Sequence, residues 1–205
     1  MSNILYFCKQ IIIVMLSQSS VILETVSELA QGGTILYPTD TIWGLGCDAT
    51  NADAVEKIYS IKQRDHSKSM LILCSDIDMV ERYVAPVSDK VGELLLGSDR
   101  PTTVIMPLCK SLLANNLAAA DGTVGVRIPK MDFCQQLLRT FKRPIVSTSA
   151  NLSGCPSPAS FVEIDESLKQ AVDHCVSQSM EEHSGGSSSQ IVKLQPDGSI
   201  LVLRK

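Results

Sequence analysis

The sequence carries no Gly-x-x-x-x-Gly-Lys-Ser/Thr element and no Gly-x-Gly-x-x-Gly run. Gly44-x-Gly46 lacks the third glycine and the helix start that would follow it, so a main-chain phosphate cradle of the P-loop or dinucleotide-binding kind is excluded. Phosphate would have to be held by side chains. A Gly-x-Ser-x-Gly elbow is also missing, and none of His66, His174 and His183 is placed by sequence as a base, which argues against Ser149 as a hydrolase nucleophile. There is no Cys-x-x-Cys pair and no histidine at zinc-ligand spacing. The seven cysteines, at 8, 47, 74, 109, 134, 155 and 175, are odd in number and scattered, so they predict neither a disulfide framework nor a structural metal site. They read as reduced, mostly buried thiols of a cytoplasmic protein, with Cys74 as strand core. Nor is there an excess of positive charge: a formal net charge of −4 argues against a broad nucleic-acid surface, which needs many clustered lysines and arginines. The apolar run from Ile4 to Leu16 is interrupted by Lys9 and Gln10, is too short to span a bilayer, and has no cationic stretch before it or small-residue cleavage site after it. A membrane anchor is therefore rejected, and residues 1–18 are expected to form a first strand or an extension.

What remains is enough for a sizeable core. With 205 residues, 44% of them hydrophobic, and no internal repeat or linker, the chain predicts a single domain over 19–205. Ile22, Val26, Leu29 and Ala30 have helical spacing before the Gly32-Gly33 stop, and Thr34–Tyr37 and Ile42–Cys47 read as short strands around a polar turn. Asn51 caps a helix to about Ile61. Met70–Leu73, Thr102–Met106, Thr123–Ile128 and Pro144–Thr148 read as strands, and Asp76–Tyr83 and Ser88–Leu96 as helices. Asp132 is expected to cap a helix with Phe133, Leu137, Leu138 and Phe141 inward. Asp165–Ala171 reads as a helix, His174–Ser177 as a short strand, and Gln190–Leu194 with Ile200–Leu203 as a hairpin around Pro196-Asp-Gly198. The fold class is α/β, a twisted mixed sheet flanked by helices.

Chemistry concentrates in two places. Lys57, Lys62, Arg64 and Lys68 fall in one short window opposed only by Asp65. Such a run is either a solvated helix end or a cluster able to neutralise a polyphosphate, with Arg64 suited to bidentate contact and the lysines to point-charge contact. Ser147, Thr148, Ser149, Asn151 and Ser153 crowd the end of a strand, followed by Gly154, Pro156 and Pro158. Short hydroxyl and amide side chains there either satisfy their own turn or face a ligand in the crevice beyond the strand.

Thr34-Ile-Leu-Tyr-Pro-Thr-Asp-Thr-Ile-Trp-Gly-Leu-Gly-Cys-Asp48, Lys62-x-Arg64, Thr123-Val-Gly-Val-Arg-Ile-Pro129 and Ser147-Thr-Ser-Ala-Asn-Leu-Ser-Gly154 together resemble the YrdC-like threonylcarbamoyl-AMP synthases, in that family's order, from about residue 20 to 192. The resemblance implies a YrdC-like catalytic domain in its short, single-domain form, without the carboxyl-terminal domain of longer members. It implies a nucleotidyltransferase that makes threonylcarbamoyl-AMP and pyrophosphate from L-threonine, bicarbonate and ATP, with Mg2+ accompanying the ATP and no tightly bound cofactor. A downstream transferase complex would carry the group to tRNA in the cytoplasm, with any tRNA contact weak or indirect. Carried onto matching positions, Lys62 and Arg64 would be catalytic. Arg64, Lys68, Thr123, Ser149, Asn151, Ser157 and Ser189 would bind ATP, and Thr39, Thr41, Arg127 and Ser147 would bind threonine. No protein metal ligands are implied.

The chain departs from the family pattern at Leu73, Trp43, the Asp99–Thr103 stretch, Gln190 and Lys193. An alternative is a non-catalytic RNA-binding or ribosome-associated YrdC/YciO-like module. The intact Lys62-x-Arg64 and Ser149-x-Asn151 pairs argue against the YciO-like branch.

Overall fold

The computed structural model describes residues 18–66, 70–181 and 187–205. A helix over 18–30 (α1) is followed by β1 (Ile35–Tyr37), β2 (Gly44–Gly46), α2 (Ala52–Lys62), β3 (Leu71–Leu73), α3 (Ile77–Tyr83) and α4 (Asp89–Leu96). Then come β4 (Thr102–Pro107), β5 (Thr123–Arg127), α5 (Asp132–Phe141), β6 (Ile145–Ser149), α6 (Glu166–Ala171), β7 (His174–Cys175), β8 (Gln190–Leu194) and β9 (Ile200–Arg204). Among the described residues these nine strands form one sheet in the order β7-β1-β2-β6-β3-β5-β4-β8-β9. It is mixed: β1 with β7, β3 with β5 and β4 with β8 run parallel, while the remaining neighbours are antiparallel.

Strand alternation divides the core into two layers. Leu45, Ile72, Val104, Val124, Val126, Val146 and Val192 face α2, α3, α4 and α6, which bring Val55, Ile58, Val80, Val91, Leu95 and Leu168. On the opposite face Ile35, Tyr37, Leu73 and Ile145 meet Ile22 and Leu29 of α1 and Phe133, Leu137, Leu138 and Phe141 of α5. The second layer is the smaller. Its helices cover Leu73 and Ile145, whereas Leu71, Gly125 and Ser147, which share that face, form the floor of an open hollow.

Helix ends follow from local chemistry. The Asn51 side chain accepts from the backbone of Asp53 and Ala54, and Asp76, Ser88 and Asp165 cap their helices in the same way. Asp132 does not cap α5. Met131 holds the cap position without a side-chain bond, and Asp132, one residue inside, accepts from the amide of Gln136 instead. The cysteines are less buried than expected: Cys47, Cys74 and Cys134 are buried, but Cys109, Cys155 and Cys175 are exposed. Exposure at these three reflects their places in a connecting loop, the turn after β6 and an edge strand. The strand expected over His174–Ser177 is two residues long. Residues 1–17 and Lys68 lie outside the described residues.

Candidate functional site

The hollow has a volume of about 290 Å³. Its floor is set by the register of the sheet, in which Leu71 stands opposite both Gly125 and Ser147, Ile105 opposite Gly125, and Thr103 opposite Ile191. Gly125 keeps this floor low: a Cβ there would sit 3.2 Å from Leu71 Cβ and 3.2 Å from Thr103 Cγ2. Gly44 does the same beside Ser147, whose Oγ would lie 3.2 Å from an added Cβ. The walls are strongly polar. Among the described residues the lining includes three arginines, Arg64, Arg127 and Arg204, nine serines and threonines, and no carboxylate. Such a surface suits an anion with several oxygen atoms.

Each arginine arrives by a different route. The α2 helix ends at Gln63 in the left-handed conformation, φ 49°, and the backbone N–H groups of Gln63 and Arg64 bond back to Ser60 and Tyr59. This reversal separates two cations only two residues apart. Lys62 turns into the protein at 1% exposure, while Arg64 reaches the hollow, with burial holding its pKa below the usual arginine range. Arg127 ends β5 at 3% exposure, and its Nη1 is ion-paired with Asp40 Oδ1. Asp40 Oδ2 also accepts from the Lys130 backbone at 3.1 Å, so the carboxylate is fixed on both sides. Arg204 comes from the last strand and donates through Nε and Nη2 to the Ser189 carbonyl at 3.0 and 2.7 Å.

The hydroxyls are ordered by their partners. Thr39 Oγ1 donates to Ile42 O at 2.7 Å and lies 2.9 Å from Thr41 Oγ1. The Asn151 amide nitrogen donates to Leu152 O at 3.1 Å and Cys155 O at 2.6 Å, turning Oδ1 to receive the Ser149 hydroxyl. Thr103 and Ser189 hydroxyls meet at 2.8 Å. Trp43 forms part of the wall. Its ring lies 4.8 Å from that of Phe161, and its Nε1 donates to Glu181 Oε1 at 2.9 Å.

Of the residues picked out by sequence, Thr39, Thr41, Arg64, Arg127, Ser147, Ser149, Ser157 and Ser189 line the hollow. Lys62 does not. Its ammonium donates to the main-chain oxygens of Ser149 and Asn151, the latter at 2.6 Å, and approaches Asn151 Oδ1 at 3.4 Å. Burial and the nearby Arg64 push its pKa down to about 8, although these oxygens favour the charged form. Asn151 stands behind Ser149 rather than in the lining. The Thr123 hydroxyl is directed to Asp121 Oδ1 at 2.6 Å. Sequence reasoning missed Arg204, Thr103, Gly125 and the role of Asp40. Gly125 carried a signal, because a glycine inside a Val-Gly-Val strand marks a close approach. Arg204 carried none, since the expected strand stopped at Leu203.

Fold and hollow together define an α/β protein with an anion-receptive, hydroxyl-lined site on one face of a mixed sheet. The family model Sua5_yciO_yrdC, described as Telomere recombination, matches residues 27–205, and the chain belongs to this Sua5/YciO/YrdC family. It is 32% identical over 164 residues to a protein named threonylcarbamoyl-AMP synthase from Pseudoalteromonas translucida, covering 78% of this chain and 87% of that one. A protein of the same name from Idiomarina loihiensis is 31% identical over 176 residues, covering 84% and 92%. Among solved structures, P. abyssi Sua5 complexed with L-threonine shares the fold with a TM-score of 0.78 at 22% identity, over 91% of this chain and 54% of that one. E. coli YciO gives 0.75 at 25% identity, over 92% and 89%. The chain thus spans about half the length of the Sua5 structure and most of the others.

Proposed function

We propose that this protein is an L-threonylcarbamoyladenylate synthase, using L-threonine, bicarbonate and ATP to form threonylcarbamoyl-AMP and pyrophosphate for threonylcarbamoyladenosine modification of tRNA. The observation that carries this is the hollow lined by three arginines and no carboxylate among the described residues. The named relatives, more than 30% identical over most of their length, support it.

In this scheme Arg64 neutralises the phosphates, and Arg204 adds a second cation from the far wall. Ser149, Ser157 and Ser189 contact the nucleotide. Arg127, oriented by Asp40, pairs with the threonine carboxylate, while Thr41 and Ser147 meet its other polar groups. Lys62 and Asn151 act from behind by holding the Ser149 turn. Thr123, with its hydroxyl on Asp121, and Lys68 are assigned to the nucleotide on the family resemblance alone. The neutral threonine amine adds to the bicarbonate carbon with loss of water, and the resulting carbamate oxygen attacks the α-phosphorus and displaces pyrophosphate. Positioning and charge stabilisation suffice for such phosphoryl chemistry, and no protein nucleophile is needed.

Among the described residues no group of three or more His, Cys, Asp or Glu is placed to hold a metal. Magnesium would therefore fit here as a companion of the ATP, held mainly by phosphate oxygens and water, where it would neutralise phosphate charge. We place the protein in the cytoplasm, handing its product to a tRNA-modifying transferase. Among the described residues, no helix is long and apolar enough to cross a membrane.

The decisive experiment is pyrophosphate release from ATP with threonine or bicarbonate omitted in turn. Release that requires both is expected. Release that is absent, or equally fast without either one, rules out the synthase activity, and tight salt-dependent RNA binding without turnover would instead mark a non-catalytic RNA-binding module.

A further inference from the structure

The geometry points to Thr39 as a specificity-determining residue that acts through Thr41, fixing the Thr41 hydroxyl as an acceptor aimed at the hollow and so favouring an amino acid with a β-hydroxyl over its aliphatic counterpart. This rests on threonine being the substrate. A threonine hydroxyl has one hydrogen and two lone pairs. Thr39 Oγ1 lies 2.7 Å from Ile42 O, which can only accept, so the Thr39 hydrogen is committed there. Its lone pairs then receive the Thr41 backbone N–H at 3.2 Å and face Thr41 Oγ1 at 2.9 Å. For that last contact to be a hydrogen bond, Thr41 must be its donor. At 1% exposure Thr39 is buried, which favours these protein partners over bulk water.

Thr41 lines the hollow, and with its hydrogen given to Thr39 its lone pairs would be left to accept from a bound molecule. The same device recurs at Ser149. The Asn151 amide nitrogen is held by two carbonyl oxygens, so Oδ1 faces Ser149, and the Ser149 hydroxyl donates to it. Two hydroxyls in the lining are thus set as acceptors, while the arginines supply donors. Arg127 and Thr41 line the same hollow, and Asp40, the partner of Arg127, is the sequence neighbour of Thr41, so an amino acid with its carboxylate on Arg127 would present its side chain toward Thr41. A β-hydroxyl can donate to it; the methyl of valine, otherwise similar in shape, cannot. Sites built to bond a substrate hydroxyl reject analogues lacking it because the protein group is left unpaired.

The test measures pyrophosphate release by the full chain with L-threonine and with L-valine, at saturating ATP and bicarbonate, for wild type, T39V, T39S and T41V. Wild type should favour threonine in kcat/KM. T41V should lower the threonine-to-valine ratio by about tenfold or more, and T39V should follow it through a raised threonine KM rather than a lowered kcat. T39S keeps the hydroxyl and should stay within about threefold of wild type. Circular dichroism of each variant identifies any that fails to fold; if T39V does, T39A, which also lacks the hydroxyl but adds no second methyl, takes its place against T41V and must show the same fall in the ratio. An unchanged ratio in folded T39V overturns the inference, as does an equal fall for threonine and valine, which would give the acceptor to the amino group. Wild type without threonine-dependent release overturns the synthase activity itself, a distinct result.

Discussion

Lys62 Nζ donates to the main-chain oxygen of Asn151 at 2.6 Å, a contact between residues 89 positions apart. Together with the bond to Ser149 O, it ties the end of α2 to the turn after β6, and Ser153 N closes the junction on Lys62 O at 3.0 Å. Lys62→Met removes the charge and leaves buried carbonyls unpaired, at a cost of about 1–3 kcal/mol. Urea unfolding should show a lower midpoint with an unchanged slope. Turnover should fall as well, because the Ser149 turn loses its anchor.

Lys62 also makes a prediction about pH. Its pKa lies near 8 in the folded protein against 10.5 for the free side chain, so the unfolded chain binds more protons between those values. Stability from this group is fully present above pH 10.5 and is lost as pH falls to about 8. Tyr37, Cys47 and Cys74, whose burial raises their pKa values, act in the opposite direction at high pH. The difference between wild type and Lys62→Met isolates the lysine: the Met variant should lose the rising component between pH 8 and 10.5.

Arg64→Ala should lower kcat/KM for ATP by about tenfold or more, the effect of one lost charge-assisted contact. Arg64→Lys should recover only part of this, since an ammonium cannot reproduce the guanidinium fork. Near-normal turnover in the alanine variant would remove Arg64 from the phosphate site.

Asp40→Ala leaves Arg127 charged at 3% exposure without its carboxylate. Breaking a buried pair from one side costs about 3–5 kcal/mol. The midpoint of chemical unfolding should drop accordingly, and threonine KM should rise because Arg127 is no longer oriented.

Gly46→Ala should be among the most damaging single substitutions. A Cβ there would sit 2.4 Å from Val146 O, a main-chain atom that cannot step aside without disturbing the β2–β6 pairing. The expected loss is about 3 kcal/mol or more, read by thermal unfolding. A well-folded variant of wild-type stability would refute this account of the strand spacing.

Most of the fold was legible because apolar periodicity and a cap such as Asn51 are local signals. Asp132 misled because a carboxylate in the first turn of a helix looks the same whether it stands at the cap or one residue inside. The site was legible where motif residues carry their own chemistry, as at Arg64, Arg127 and Ser149. It was not where function depends on what a side chain touches across the fold. Lys62 and Arg64 look alike in sequence, and only the left-handed Gln63 sends one inward and the other to the hollow. Asp40 gains its meaning from Arg127, and Arg204 from Ser189, pairs that no spacing announces.

The ties around the hollow, Lys62 to Ser149, Arg127 to Asp40, Thr103 to Ser189 and Trp43 to Glu181, join positions 86 to 138 residues apart. A site made of such closures does not accumulate piece by piece as the chain collapses, because each tie waits on the pairing of distant strands. Amide hydrogens around the hollow should therefore exchange only through the slowest openings of the molecule, and catalytic competence should return during refolding in step with the last sheet pairings to form.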